Sequence, residues 1–295
     1  MNILLTGSEG QLGKSIIATL PKNINIIQTN KKNLDICNFK QLNFFFEKYK
    51  PKFVINAAAY TDVENSEKNK KLAFNVNSEG PKNLAHFSNV FKSILVHFST
   101  DYVFDGKKDK PYLESDITNP ISVYGKSKLL GEKNIIDSCS KYLIIRLAWL
   151  YSPYNNSNFL NTMIDLSKKR NTINIVNDQM SIPTSSIVLS KNLWQIINQI
   201  QLNIDNFNSN TYHFSQYGKI ISFYDYAKFI FDYMSAKKLK VPVINPISSQ
   251  NYTNNIIRPL FSALNNDKLL NNYKLNIENW QDSMRNIIDY RLRDY

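Results

Sequence analysis

The chain has 295 residues, 43% of them hydrophobic, including 17 Tyr and 17 Phe; this is enough apolar side chain to bury a sizeable core and excludes global disorder. The formal charge of +12 raises nucleic-acid binding, but the lysines are scattered and accompanied by equal loads of Asn and Ile. That pattern reads as compositional bias, so no nucleic-acid partner is expected, and any functional field would serve to attract anionic substrates such as nucleotides. No apolar run approaches the ~20 residues that span a bilayer, no secretory leader pattern precedes the first strand, and Cys37 and Cys139 are too few for a disulfide framework; the expectation is a cytoplasmic protein with no membrane partner.

In chain order, Asn2–Thr6 reads as a strand, followed by a glycine turn and a helical pattern through Leu20. Ile24–Thr29 reads as a second strand, and Phe39, Leu42, Phe45, Phe46 and Tyr49 recur at helical spacing. Phe53–Ala59 is a third strand, Ala73–Phe91 a helix, Ile94–Ser99 a fourth strand, Ile121–Asp137 a helix and Tyr142–Trp149 a fifth strand. This alternation predicts an α/β fold: a Rossmann-like, doubly wound parallel sheet covered by helices on both faces.

Beyond Trp149 the order loosens. Ser157–Lys169, Ser185–Ile200, Phe223–Met234 and Trp280–Leu292 read as helices, Thr172–Val176 and Thr211–Ser215 as strands, and Asn203–Asn210 as a surface loop. The division expected is a dinucleotide-binding domain over 1–150, with segments of about 171–202 returning to it, and a smaller α/β substrate-binding domain over 151–295.

Gly7, Gly10 and Gly13 give G-x-x-G-x-x-G directly after the first strand, in a chain with only 8 glycines. Absent side chains let a pyrophosphate approach the backbone, and the following helix offers free N–H groups and its positive dipole end. The second strand ends in Gln28-Thr29-Asn30-Lys31-Lys32, without the acid that NAD enzymes often place there. Asn30 and Lys31 are candidate cofactor contacts; the lysines either pair with a 2′-phosphate or are merely solvated, so the cofactor is NADPH or NADH with a lean to the former. Asp35 either meets the adenine edge or caps a helix.

Tyr124 and Lys128 form Y-x-x-x-K, which places both side chains on one helix face. A nearby ammonium lowers a phenol's pKa and makes it a usable acid near neutrality. Thr100 sits at the carboxyl end of the fourth strand, where open parallel sheets bind ligands, so a substrate oxygen held by its hydroxyl would lie beside Tyr124. His86, His97 and His213 lack ligand-like spacing with either cysteine, and no catalytic metal is expected.

With these motifs in view, the chain resembles the dTDP-4-dehydrorhamnose reductase family of extended short-chain dehydrogenases. The likeness runs through Asn2–Gly13, Val54–Val63, Ser99–Gly106, Pro111–Glu114, Asn119-Pro120, Val123–Glu132, Arg146–Trp149, Val176–Gln179, Pro183-Thr184 and Arg258-Pro259. It implies reduction of the 4-keto group of a nucleotide-linked 4-keto-6-deoxy sugar, for cell-surface polysaccharide synthesis. It places Gly10, Gln11 and Leu12 at the pyrophosphate, Asp35 and Ile36 beside the adenine, and Ala59, Tyr60 and Thr61 along the cofactor, with Phe98 on the nicotinamide side. Thr100 and Asp101 would touch the sugar, Tyr124 would donate the proton, and Lys128 would hold the nicotinamide ribose. Trp149 would shape the sugar pocket and Arg258 would lie near the nucleotide. The resemblance also admits a homodimer, but Ser15 stands where some relatives carry a glutamate that helps bind magnesium between subunits, and Gln179–Pro183 departs from the usual pattern.

Two alternatives remain at this stage. A nucleotide-sugar epimerase or dehydratase shares the fold, although dehydratases of this group usually follow the threonine with Asp-Glu and this chain has Asp101-Tyr102. A non-catalytic regulatory subunit is the other, against which the intact Thr100, Tyr124 and Lys128 argue.

Overall fold

The structure, a computed structural model, describes residues 1–154, 158–252 and 257–294. The first part runs β1 (Asn2–Thr6), α1 (Gln11–Ala18), β2 (Asn25–Gln28), α2 (Phe39–Tyr49), β3 (Phe53–Asn56), α3 (Val63–Lys68), α4 (Lys70–Phe74), α5 (Gly80–Val90), β4 (Ile94–Thr100), α6 (Val123–Ser138) and β5 (Tyr142–Leu147). The second runs β6 (Leu150–Tyr151), α7 (Phe159–Ser167), β7 (Thr172–Val176), β8 (Met180–Ser181), β9 (Thr184–Ser185), α8 (Ser186–Leu202), β10 (Asn210–Phe214), β11 (Ile221–Ser222), α9 (Phe223–Ala236), β12 (Val243–Ile247), α10 (Asp267–Tyr273) and α11 (Trp280–Arg291).

Six strands form one parallel sheet in the order β10-β5-β4-β3-β1-β2. Because successive side chains point to opposite faces, Ile3, Leu5, Ile55, Val96 and Ile145 pack on one side with Ile16 of α1 and Leu189, Leu193 and Ile197 of α8. Leu4, Val54, Leu95 and Ile144 pack on the other with Leu42 and Phe46 of α2, Leu84 of α5 and Ile135 of α6. Burial on both faces explains the nearly continuous apolar runs in these strands, and the sheet is the expected doubly wound, Rossmann-like one. The strand order reverses beside β1, whose carboxyl end, with that of β3, is the crevice where such sheets bind ligands.

Several boundaries differ from the sequence reading. Ala73–Phe91 is not one helix: α4 and α5 are separated by a π-helical turn, Asn75–Glu79. This turn packs tightly against α6, where a Cβ on Gly131 would lie 2.2 Å from the Asn77 carbonyl oxygen. The displaced Asn77 side chain accepts from Tyr60 N at 2.8 Å and donates to Tyr60 O at 2.9 Å. Asp35 caps no helix; Asn38 caps α2, and Asp35 accepts from Cys37 N at 2.9 Å. The helix read from Ser157 begins at Phe159, with Ser157 itself outside the described residues. β12, α3 and α10 carry no strong periodicity and escape a sequence reading.

In the second half β7 pairs with β12 rather than with the central sheet, whereas α8 packs on the sheet, β10 extends it and α10 contributes Leu269 and Tyr273 to the same core. A separate core gathers α7, α9 and α11 around Met163, Ile230, Trp280 and Met284. Ser15 is wholly buried and shares a 2.7 Å hydrogen bond with Ser186 of α8. Among the described residues no helix is long and apolar enough to cross a membrane.

One ion pair fastens α6 to the sheet. Arg146 of β5 donates from Nε and Nη2 to Glu132 of α6 at 3.0 and 2.7 Å, with both residues buried. Removing one partner strands the other charge out of water. Arg146→Met is therefore expected to cost about 3–5 kcal/mol in denaturant unfolding, with the Arg146→Met/Glu132→Leu double variant recovering much of it. Equal losses in the single and double variants would refute this account.

Candidate active site

Three features converge at the carboxyl edge of the sheet. The first is the glycine turn. Gly7 adopts φ +68°, and a Cβ there would sit 2.6 Å from the Ala57 backbone, so β1 and β3 can approach only around a glycine. A Cβ on Gly13 would fall 2.2 Å from Gly7 O, so Gly13 serves helix-to-turn packing rather than contact with a ligand. At Gly10, the residue preceding α1, an added Cβ would meet nothing nearer than Gly7 O at 3.3 Å and otherwise point into open space. The bare backbone there, with the free N–H groups of α1 behind it, is a fitting seat for a pyrophosphate.

The second is a cavity of about 310 Å³ lined by Gly7, Gly10, Asn30, Lys31, Asp35, Ile36 and Ala59 among others. Its size and its place beside the glycine turn suit the adenosine half of a dinucleotide. Lys32 is not among the residues lining it; it lies in the exposed turn after β2. The sequence reading missed Glu9, which lines the same cavity and accepts from Asn30 Nδ2 at 2.6 Å. The acid absent from the end of β2 is thus supplied from within the glycine turn.

The third is an adjoining cavity of about 400 Å³, sharing Gly10 and Ala57–Ala59 with the first. Gln11, Leu12, Thr61, Phe98, Thr100, Asp101, Tyr124, Lys128 and Trp149 line it, as do Asn56, Ser99, Tyr102 and Asn158, which sequence reasoning did not single out. Tyr60 does not line it; its backbone is held by Asn77 instead.

Local structure explains the placement. Thr100 ends β4 and caps the 3-10 turn Asp101–Val103 by accepting from Tyr102 N at 3.2 Å. Its hydroxyl donates to Asp101 Oδ1 at 3.0 Å, and Tyr124 lines the same cavity. Ser122 caps α6 by accepting from Gly125 N, fixing the first turn of the helix that carries Tyr124. Burial pushes the Tyr124 phenol above its ordinary range and raises Asp101 to about 6. Burial lowers Lys128 to about 8, opposed by the Glu132 carboxylate.

Tyr124 and Lys128 share a helix face as Y-x-x-x-K predicts and line one cavity. The charges acting on Tyr124 are those of Asp101 and Tyr102, and both raise its pKa. Spacing of four brings the two Cβ atoms onto one helix face, but the Lys128 stem runs to the sheet edge, where Nζ donates to Phe98 O at 2.6 Å and lies 3.3 Å from His97 Nε2.

Arg258 lies outside this cavity, but its charge acts on Tyr102, which lines it. It lines a further cavity of about 630 Å³ with Phe159, Ile175, Gln179, Phe223 and Ser249. Trp149, at φ +44°, stacks on Phe223 at 3.8 Å between ring centroids and forms the wall between the two spaces. Gln179–Pro183, unusual in sequence, is held in the fold where Met180 N donates to Leu260 O at 2.7 Å and Gln179 Nε2 to Ser249 Oγ at 3.0 Å.

Comparison with known proteins agrees with this geometry. Residues 1–292 match the RmlD substrate binding domain family. The dTDP-4-dehydrorhamnose reductases of Aggregatibacter actinomycetemcomitans and Salmonella typhimurium are 36% and 34% identical, covering 98% of this chain in each case and 98% and 97% of those proteins. The crystal structure of the Clostridium acetobutylicum dTDP-4-dehydrorhamnose reductase superposes with a TM-score of 0.90 at 37% identity, covering 98% of this chain and 99% of that one. The Bacillus anthracis reductase, solved with NADP, gives 0.87 at 32% identity over 100% and 99%. The glycine turn and these likenesses together establish that the chain belongs to the dTDP-4-dehydrorhamnose reductase family.

Proposed function

We propose that this protein is an oxidoreductase that uses NADPH or NADH to reduce the 4-keto group of dTDP-4-dehydrorhamnose, yielding dTDP-L-rhamnose for surface polysaccharide. The observation that carries the reading is that Thr100, Tyr124 and Lys128 line one cavity, which shares its Gly10 and Ala57–Ala59 wall with the adenosine-sized one.

A reduced nicotinamide, when bound, supplies the hydride that attacks the ketone carbon. Everything else falls to the chain's own groups. Negative charge growing on the ketone oxygen requires a donor already in place. Burial keeps the Tyr124 phenol protonated, the form in which it can donate, and Thr100 lies on the lining of the same cavity. Lys128, its charge fixed at the Phe98 carbonyl, is positioned to grip the nicotinamide ribose. Glu9 and Lys31 present opposite charges to the adenosine ribose, an arrangement that supports use of either cofactor. Asp101 contacts the sugar. The cavity beside Arg258, with its aromatic and amide walls, takes the base and the diphosphate. On this reading the substrate-binding part comprises the α7, α9 and α11 core with the β7–β12 pair, and α8, β10 and α10 belong to the dinucleotide-binding part.

Tyr124→Phe removes the proton while keeping the ring. It is expected to lower kcat by on the order of 10²–10⁴ with little change in cofactor affinity; wild-type turnover, with a deuteride isotope effect showing that chemistry limits the rate, would overturn the assignment. Lys128→Met is expected to lower turnover and weaken cofactor binding together.

Gly10→Ala separates binding from folding. The new methyl fills the seat proposed for the pyrophosphate, so cofactor affinity measured by calorimetry is expected to fall tenfold or more, at least ~1.4 kcal/mol. Unfolding free energy should change by less than about 0.5 kcal/mol. Unchanged affinity would place the phosphates elsewhere.

A further inference from the structure

A row of buried polar side chains crosses the sheet beneath the active site. Thr6, Asn56 and His97 occupy one rung, paired in register across β1, β3 and β4. All three are at most 1% exposed. Thr6 Oγ1 donates to Asn56 Oδ1 at 2.7 Å, Asn56 Nδ2 lies 2.9 Å from His97 Nδ1, and His97 Nε2 lies 3.3 Å from Lys128 Nζ. The rung begins one residue before the glycine turn and ends on the helix of Tyr124.

The direction of this chain is set at Asn56. Ala58 N donates to Asn56 Oδ1 at 3.2 Å, and a backbone N–H can only donate, so the oxygen of the amide must face it. The amide nitrogen therefore faces His97 Nδ1 and donates to it. A neutral imidazole has one donor and one acceptor nitrogen, so the His97 proton resides on Nε2. His97 stays neutral at physiological pH, because burial first and the Lys128 charge second lower its pKa well below the ordinary value. An N–H thus points at the Lys128 amine.

We propose that His97 is a positioning residue for Lys128: its Nε2–H, oriented through Asn56, opposes the amine on one side while the Phe98 carbonyl holds it on the other. An Nε2–H facing Nζ favours the neutral amine, which can accept, over the ammonium, which cannot. The other charge near Lys128 is Glu132, one turn along α6, which favours the ammonium but is engaged by Arg146. His97 and Glu132 therefore act on Lys128 in opposite senses. The inference rests on the assignment of Lys128 to the cofactor side of the reaction.

The direct test is ¹⁵N-detected NMR of labelled histidine, favourable because the chain holds only 3 His. The wild-type His97 signal is expected to report a neutral ring with the proton on Nε2 from pH 6 to 9; a proton on Nδ1 would overturn the proposal whatever the activity. Asn56→Asp then replaces the amide donor by an acceptor and is expected to move the proton to Nδ1, turning the nitrogen that faces Lys128 into an acceptor. The ammonium should then survive to higher pH. Activity in ketone reduction is lost as pH rises through the pKa of Lys128, so the alkaline limb of the kcat/KM profile should move up by about one unit or more, the scale of a changed polar partner. A limb that stays put despite the tautomer switch would overturn the proposal. So would a limb that moves while the proton remains on Nε2, since the carboxylate charge alone would then explain it. Should Asn56→Asp fail to fold, the wild-type tautomer still decides. Wild-type turnover in Lys128→Met would instead sink the underlying role of Lys128, leaving the tautomer result standing.

Discussion

The buried pair of Arg146 and Glu132 is the constraint on which the site depends. Ser99 of β4 is in register with Arg146 of β5, so the guanidinium stands beside the strand that delivers Thr100. Glu132 lies on α6, one turn beyond Lys128 and two beyond Tyr124. The pair therefore joins the strand end and the helix whose side chains must meet within hydrogen-bond distance. Its stabilising value is small or negative against an apolar substitute, because desolvating two charges is costly. What it supplies is register: an apolar contact would tolerate a slide of α6 along the sheet, whereas a two-point Arg–carboxylate contact does not. The surroundings complete it. Phe104 stacks against the guanidinium at 5.3 Å, and His213 Nε2 accepts at 3.4 Å from Nη1 while its Nδ1–H donates to Tyr112 O. Burial and the Arg146 charge lower His213 to about 3, which keeps that ring an acceptor.

His97 and His213 thus show how one residue type takes opposite states under different neighbours. Arg146 can only donate, so it forces an acceptor on Nε2 of His213 and the proton onto Nδ1. The Asn56 amide can present either end, and only the Ala58 N–H decides which. In both cases the tautomer is set by a group that has no choice: the histidine's own partner for His213, and one bond beyond it for His97. Neither ring titrates near neutrality, so their function lies in fixed polarity rather than in proton exchange.

The local motifs were legible in the sequence because their meaning is local. A glycine turn after a strand, Y-x-x-x-K and a threonine at a strand end all state their geometry within a few residues, and the sheet follows from alternating apolar runs. The rest was hidden because it depends on register across the sheet. Nothing in Thr6, Asn56 and His97 taken singly says that they share a rung; that follows only once β1, β3 and β4 are aligned. Glu9 was overlooked for a related reason: an acid was sought at the end of β2, and the fold brings one to the same place from the neighbouring turn. The resting place of the Lys128 amine was hidden too. The spacing of Lys128 from Tyr124 is right, but a long flexible stem lets the charge settle at the Phe98 carbonyl.

The boundary between the two cores carries the other deviation from ordinary geometry. Trp149 holds a left-handed backbone, φ +44°, which an indole side chain adopts only under compulsion from its surroundings. Those surroundings are identifiable: Thr184 N donates to the Trp149 carbonyl at 3.1 Å, and the ring is stacked on Phe223 and lies parallel to Tyr226. Phe223 and Tyr226 belong to α9, at the edge of the second core, while Leu147 two residues back packs in the first. The strained residue is therefore the point where the chain leaving β5 hands over to the second core. Its ring closes one cavity and opens another. The strained backbone is what sets the indole on Phe223, at the border of the cavity that Trp149 lines and the one that Phe223 lines.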